Sequence, residues 1–237
     1  MANVTKVKAK VQKIKAYGSG VYEVEFSVPS RASRFLPGQF LHLTLDEYDP
    51  TTGWWPESRV FSIASEPKQD YVTVVYSVKG SYTKRMEKEL YIDKTVWLKL
   101  PYGDFFIQEA TGPIALIAGG TGVSPYWPYL LNGQHTGEVH LFYGVREPSH
   151  ILFKNKLKWL VDQEWFKLHL MVEDGSVEDL PSSKGRLSTS LFQMTLNSQF
   201  TKANYYLSGP PSMIKLFQKE LLEKGIDPHK IHIDEWE

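Results

Sequence analysis

Apolar and polar positions alternate through the first hundred residues. Val7, Ala9 and Val11 alternate with Lys6, Lys8 and Lys10; Tyr22, Val24, Phe26 and Val28 alternate with Glu23, Glu25 and Ser27. Gly18-Ser19-Gly20 separates the two runs as a turn signal. Leu41, Leu43 and Leu45 give another period-two face, and Tyr71–Val78 and Thr95–Leu100 are further strand candidates. Short runs of period two predict an antiparallel barrel or sandwich with one wet face. One short helix interrupts it over Lys84–Leu90, with Ser81 and Thr83 as N-cap candidates.

The texture changes near Thr111-Gly112-Pro113. Short apolar runs follow at 114–118, 138–143, 167–172, 204–207 and 230–233. Helical stretches lie between them around 126–131, 153–162, 187–194 and 212–224. Strand and helix in alternation predict a parallel sheet with helices on both faces. The expected domains are residues 1–110 and 111–237.

Composition narrows the classes. The formal net charge is zero, which removes wholesale attraction to nucleic acid or anionic membrane. The chain has no cysteine, so it holds no disulfide and no Cys-ligated iron–sulfur cluster or zinc. Met1–Lys15 lacks the apolar stretch of a signal peptide, and Pro113–Leu131 is broken by glycines, so the expected compartment is the cytoplasm. No Gly-x-Ser-x-Gly elbow or His-Glu-x-x-His helix points to a hydrolase. His140 and His169 fall in strands and read as core residues.

Two glycine turns carry the chemistry of the second half. The apolar run Ile114–Ala118 enters Gly119-Gly-Thr-Gly-Val-Ser-Pro125, with a proline at the start of the next helix. Glycines let a backbone approach a pyrophosphate, and a helix start offers N–H donors. A second strand, turn and helix recur at Tyr205–Met213. Loops at the carboxyl ends of such strands gather ligands, so both turns can face one ligand.

Arg59-Val-Phe-Ser62, followed by Ile63-Ala-Ser65, resembles the Arg-x-Tyr-Ser flavin motif of the ferredoxin–NADP reductase superfamily. Pro37-Gly-Gln-Phe40 is similar to the stretch that precedes that motif. Val78-Lys-Gly-Ser-Tyr-Thr83 is similar to the family's second flavin segment, Gly119–Pro125 to its nicotinamide-nucleotide turn, and Ser208-Gly-Pro-Pro211 to its Cys-Gly-Pro-Pro loop. The five occur in family order across almost the entire chain. The resemblance implies a Greek-key flavin barrel followed by an α/β nucleotide-binding domain. It implies FAD as cofactor, NADH or NADPH as co-substrate, and hydride transfer between them.

Roles follow by resemblance. Arg59 pairs with the flavin pyrophosphate through its fork of donors. Val60, Phe61, Ser62 and Val78 line the flavin, with Ser62 at its N5; Tyr76 lies along the flavin or the adenine, or is a core tyrosine. Phe61 departs from the usual Tyr and loses one hydroxyl. Gly80, Tyr82 and Thr83 meet the pyrophosphate, which favours FAD over FMN. Gly120, Thr121, Gly122, Ser208, Gly209 and Pro210 contact the dinucleotide. Ser208 stands where many relatives have Cys, near the nicotinamide C4. Trp236 is the aromatic that stacks on the flavin; Glu235, ahead of Asp234, is its acidic neighbour. Ser62, Ser208 and Glu235 form the candidate catalytic set.

Glu173-Asp174-Gly175 follows the third strand of the second half. Two carboxylates there repel a ribose 2′-phosphate and suit a hydroxyl, which favours NADH; Arg146 and Arg186 are the opposing candidates. The expected electron partner is a separate ferredoxin, flavodoxin or cytochrome. The competing reading is a non-catalytic flavin-binding module of a larger electron-transfer complex, with Trp54-Trp55-Pro56 as a partner patch or an aromatic cover over the flavin.

Overall fold

Period-two alternation folds the first part into six strands: β1 (Thr5–Ala16), β2 (Val21–Ser27), β3 (Phe40–Thr44), β4 (Arg59–Ser62), β5 (Tyr71–Ser77) and β6 (Thr95–Tyr102). The computed structural model describes residues 4–108, 112–133, 135 and 137–234. The chain forms two units, Met1–Phe106 with Ser124–Gly133, and Ile107–Val123 with Gln134–Glu237.

In the first unit the strand order is β4-β3-β6-β1-β2-β5, antiparallel throughout. The Ala64 N–H donates to the Thr73 carbonyl at 2.8 Å and the Thr73 N–H to Ser65 Oγ at 3.1 Å, so the sheet nearly closes into a barrel. Its core comprises alternating residues, among them Val24, Phe26, Leu41, Leu43, Val72, Val74, Val96 and Leu98. A register shift between Val11 and Lys13 moves the outward row of β1 from Lys6, Lys8 and Lys10 to Lys13 and Lys15. This is a bulge that changes parity while keeping every lysine out of the core.

Helix α1 (Ser81–Glu89) begins earlier than the sequence suggests, and neither Ser81 nor Thr83 is its N-cap. Gly80 holds that position. Thr83 Oγ1 reaches back from the first turn to accept the Lys79 and Gly80 N–H groups at 2.9 and 3.1 Å. Tyr82 and Met86 bury one face of α1. Arg85 ties the other to Asp46 and Glu89.

The second unit is a parallel sheet of β7 (Ile114–Gly119), β8 (Val139–Val145), β9 (Phe166–Val172), β10 (Ser182–Lys184), β11 (Asn204–Ser208) and β12 (Ile231–Ile233). The order is β10-β9-β8-β7-β11-β12. Pro125 does not start an α-helix. It lies inside a 3-10 helix, Gly120–Tyr126, that passes into the Ser124–Gly133 segment of the first unit and leads into α2 (Trp127–Leu131). The remaining helices are α3 (Lys154–Val161), α4 (Thr189–Leu196) and α5 (Pro211–Glu223). Phe192 of α4 and Phe217 and Leu221 of α5 cover Ala115, Ile117, Phe142, Tyr205 and Leu207. Leu116, Leu141 and Tyr143 are fully buried on the other face. Edge strand β10 has only exposed residues and carries no apolar pattern to read. Among the described residues no helix is long and apolar enough to cross a membrane.

Candidate functional site

In the barrel unit, Arg59 opens β4 opposite Leu43, and its side chain is half exposed. Its guanidinium lies 4.9 Å from the centre of the Tyr82 ring, a cation–π contact with the first turn of α1. It donates to the Ser58 carbonyl at 2.8 Å and pairs with Glu57 at 3.0 Å. Tyr82 is 4% exposed and donates its hydroxyl to the Leu43 carbonyl at 2.7 Å. Burial pushes that phenol up to about 12. Its side chain is thus fixed within the core, and what it presents outward is backbone.

Gly80 caps α1 without a side chain, and a Cβ there would meet nothing within 4 Å. A bare helix start beside a stacked guanidinium fits a phosphate-bearing group. Thr83 shapes this turn, its hydroxyl being engaged with the Lys79 and Gly80 backbone.

Phe61 is half-buried, with its ring edge-on to Tyr76 at 6.3 Å. Tyr76 is 3% exposed and stacks on Tyr22 at 5.4 Å; burial drives its phenol far above the ordinary value. Tyr76 is therefore a core residue that braces Phe61. Ser62 and Val60 are half-buried and lie opposite Phe40 and His42 of β3. Val78, also half-buried, donates its N–H to the Gly20 carbonyl at 2.7 Å. Trp54 is 76% exposed. Trp55 packs on Tyr48 at 5.2 Å and donates Nε1–H to Ser58 Oγ at 3.1 Å.

In the second unit the two glycine turns meet. Strands β7 and β11 are neighbours, with Ala118 opposite Ser208, and the sequential order of the sheet reverses between them. Ligands gather at such a switch point. A Cβ on Gly122 would run into the Ser208 carbonyl and lie 2.6 Å from Gly209 Cα. A Cβ on Gly209 would lie 3.0 Å from the Gly119 nitrogen. Glycine is required for the turns to touch. Gly120 has φ +55° with open space around it, so its need is conformational. Thr121 is half-buried beside it and Pro210 is exposed at the start of α5.

Ser208 is buried and donates its hydroxyl to Asp234 Oδ2 at 2.8 Å. Asp234 is 4% exposed, and its N–H donates to the Leu207 carbonyl at 2.9 Å. The carboxylate beside Ser208 is thus Asp234. Glu235 and Trp236 lie outside the described residues. One signal for Asp234 was present in the sequence: it directly follows the apolar strand Ile231–Ile233, at a carboxyl end.

At the ends of β8 and β9, the Glu173 N–H donates to the Val145 carbonyl at 3.1 Å and the Asp174 N–H to the Arg146 carbonyl at 2.8 Å. The exposed Arg186 pairs with Glu173 at 2.7 Å. His140 and His169 face each other on β8 and β9, Nδ1 to Nε2 at 3.0 Å, and His140 Nε2 is 3.1 Å from Glu138. Among the described residues no three His, Cys, Asp or Glu side chains gather as metal ligands.

A nearly closed antiparallel barrel with a phosphate-fitting helix start, followed by a parallel sheet with paired glycine turns, defines a two-module nucleotide-cofactor protein. A family model described as an FAD-binding domain matches residues 6–138, and one described as an oxidoreductase NAD-binding domain matches residues 116–219. The chain belongs to the FAD-binding domain family, within the ferredoxin–NADP reductase superfamily. It is 28% identical over 216 residues to the 2-halobenzoate 1,2-dioxygenase electron transfer component of Burkholderia cepacia, covering 88% of this chain and 60% of that one. It spans 55–60% of the length of the three dioxygenase electron transfer components it matches from Burkholderia cepacia, Acinetobacter baylyi and Pseudomonas putida. The fold is similar to an Amycolatopsis cytochrome P450 reductase (TM-score 0.81, 20% identity, 99% of this chain and 71% of that one). It is also similar to a Neisseria gonorrhoeae ferredoxin NADP+ reductase (TM-score 0.76, 18% identity, 97% and 98%).

Proposed function

We propose that this chain is an NAD(P)H-dependent FAD reductase that passes electrons to, or takes them from, a separate redox protein. The single observation that carries the reading is that an FAD-binding and an NAD-binding family match fall on one chain. When bound, FAD takes a hydride from the nicotinamide and gives its electrons up singly.

The protein's residues supply binding, orientation and charge. Arg59 and the first-turn N–H groups of α1 would hold the pyrophosphate, whose charge the cofactor's binding would bring to the guanidinium now paired with Glu57. Phe61, braced by Tyr76, covers the flavin with Val78, while Val60, whose side chain shares the opposite face of β4 with His42, contributes backbone. Ser62 offers a half-buried hydroxyl to N5. The turns around Gly120–Gly122 and Ser208–Pro210 take the dinucleotide phosphates and nicotinamide. Ser208 donates to the buried side chain of Asp234, which fixes the Ser208 hydroxyl where the nicotinamide would lie. We assign the flavin domain to residues 1–110 and the dinucleotide domain to 111–237.

NADH is the proposed donor. Glu173 and Asp174 stand at the carboxyl ends of the strands, and Glu173 already neutralises Arg186. A 2′-phosphate would meet carboxylates there, whereas a 2′-hydroxyl can donate to them. The compartment that holds this dinucleotide pool, the cytoplasm, is the proposed location.

The test is an anaerobic titration of the purified holoprotein with NADH and then NADPH, following the visible flavin bands. Bleaching by NADH at lower concentration is expected. Bound flavin that neither dinucleotide bleaches would reject the reductase reading.

A further inference from the structure

Strand order fixes what a bound dinucleotide must cross. The glycine turn Gly119–Gly122 follows β7 and the Glu173-Asp174 turn follows β9, with β8 between them. Two inter-strand steps span about 10 Å. A dinucleotide with its phosphates at the first turn and its adenosine ribose at the second therefore passes over the segment that follows β8, residues 146–153.

That segment is anchored from the core by one side chain. Tyr143 is fully buried near the end of β8. Its hydroxyl accepts the Leu152 N–H at 3.2 Å and donates to the His150 carbonyl at 3.3 Å. Burial drives this phenol far above its ordinary value, so the hydroxyl keeps its proton and remains a donor. Ile151, Leu152 and Phe153 are buried, and Phe153 has φ +53°, a left-handed conformation uncommon for a bulky residue. The chain thus turns back sharply to begin α3. The turn takes the His150 carbonyl and the Leu152 N–H out of the strand and helix ladders, and the Tyr143 hydroxyl satisfies both.

The braced segment in turn carries the next one. The Glu173 N–H donates to the Val145 carbonyl at 3.1 Å and the Asp174 N–H to the Arg146 carbonyl at 2.8 Å. Pro148 packs against Gly175, where a Cβ would come within 3.0 Å of the proline Cδ. The two carboxylates that would meet the ribose therefore stand on backbone tied to residues 145–148, and these are tied through His150 and Leu152 to Tyr143.

We propose that Tyr143 is a positioning residue for the adenosine half of the dinucleotide: its hydroxyl sets the segment 146–152, and through that segment Glu173 and Asp174, without touching the ligand. The inference rests on the dinucleotide site proposed above. A buried hydroxyl that two backbone groups share cannot be replaced by a hydrogen without leaving both unsatisfied, so the segment must shift to find other partners. The nicotinamide half, held at the glycine turns, does not depend on this brace.

The test compares the FAD-loaded wild type with Tyr143→Phe, which removes one oxygen and keeps the ring in the core. Binding of ADP-ribose, which lacks the nicotinamide, is measured by calorimetry. Anaerobic flavin bleaching is followed with NADH and with reduced nicotinamide mononucleotide, which lacks the adenosine. In the variant the ADP-ribose dissociation constant and the half-saturating NADH concentration should each rise about tenfold. The limiting rate with NADH and both constants for the mononucleotide should stay unchanged. Unchanged ADP-ribose affinity overturns the proposal, and so does an equal loss with the mononucleotide, which would mean general damage to the domain. Pro148→Gly loosens the same segment with Tyr143 intact and should split the two probes in the same direction. If Tyr143→Phe fails to fold, Pro148→Gly decides, and equal behaviour of its two probes overturns the proposal. Because ADP-ribose binding needs no hydride transfer, wild-type protein that binds it but is not bleached by NADH rejects the reductase reading alone. Wild-type protein that binds no ADP-ribose overturns the present proposal.

Discussion

Arg59 is held by three weak partners: a ring face, a backbone carbonyl and an exposed carboxylate. None of these buries the charge, so the guanidinium is placed but not consumed. Arg59→Ala should weaken FAD binding by about ten- to a hundredfold, since hydrogen bonds to charged groups contribute roughly 1.5–3 kcal/mol. Arg59→Lys should recover only part of this, because an ammonium keeps the charge but loses the planar fork. Fluorescence titration of the apoprotein with FAD checks both; equal affinity in Arg59→Ala would remove the residue from the site. Ser208 differs in being buried against Asp234. Ser208→Ala withdraws a donor from a carboxylate that is 4% exposed. The rate of flavin reduction by NADH should fall while the dissociation constant of NADH changes by less. Stopped-flow traces over a range of NADH concentrations separate the two, and an unchanged limiting rate would exclude Ser208 from the chemistry.

Elements differ in how far local pattern exposes them. Strands β1, β2, β5 and β6 announce themselves because one face is wet and the other dry, which forces alternation. Strands β7, β8 and β11 do so as short apolar runs beside glycine. Strand β10 has no buried residue, so nothing in its sequence distinguishes it from a loop. The first turn of α1 was misread because a threonine can cap from the N-cap or reach back from inside the helix, and only the backbone decides. The Ser208–Asp234 pair depends on β12 lying beside β11, a pairing of distant segments that spacing alone does not specify. The glycine turns were legible as turns, but their mutual contact was not. That contact yields an element-scale test. Gly122→Ala drives a Cβ into the backbone of the β11 turn. Stability should fall by about 1–3 kcal/mol, the range for overpacking, and dinucleotide affinity should fall with it while FAD affinity holds. Gly120→Ala meets open space and carries only the left-handed penalty of about 1–2 kcal/mol. Urea denaturation with parallel NADH and FAD titrations distinguishes them. Equal behaviour of the two variants would mean that the turns do not need to touch.

At the scale of the whole molecule, formal neutrality conceals groups whose protonation is coupled to folding. His169 is held down to about 4 by burial and by His140, against an ordinary value of 6.5, and burial lowers His140 as well. Glu138 pulls both upward and Lys167 pushes His140 down, yet burial prevails. Phe142 stacks on His169 at 4.5 Å and keeps water from one face. In the unfolded chain these rings take up protons near pH 6.5; in the folded chain they resist until lower pH. The neutral pair therefore contributes its full stability above about pH 6.5 and loses it as pH falls towards about 4. The loss is on the order of 2 kcal/mol once the partly open edge of His169 is allowed for. The lowered carboxylates act at lower pH: Asp179, held to about 2 by Lys154 and Lys158, contributes stability that is lost only as pH falls from its unfolded value of 3.8 towards about 2. Urea midpoints between pH 7.5 and 4 should fall in the wild type, and the fall should be smaller in His140→Gln/His169→Gln, which has no imidazole to charge. If both proteins lose stability in parallel, the acid sensitivity has another source and the histidine pair is thermodynamically silent.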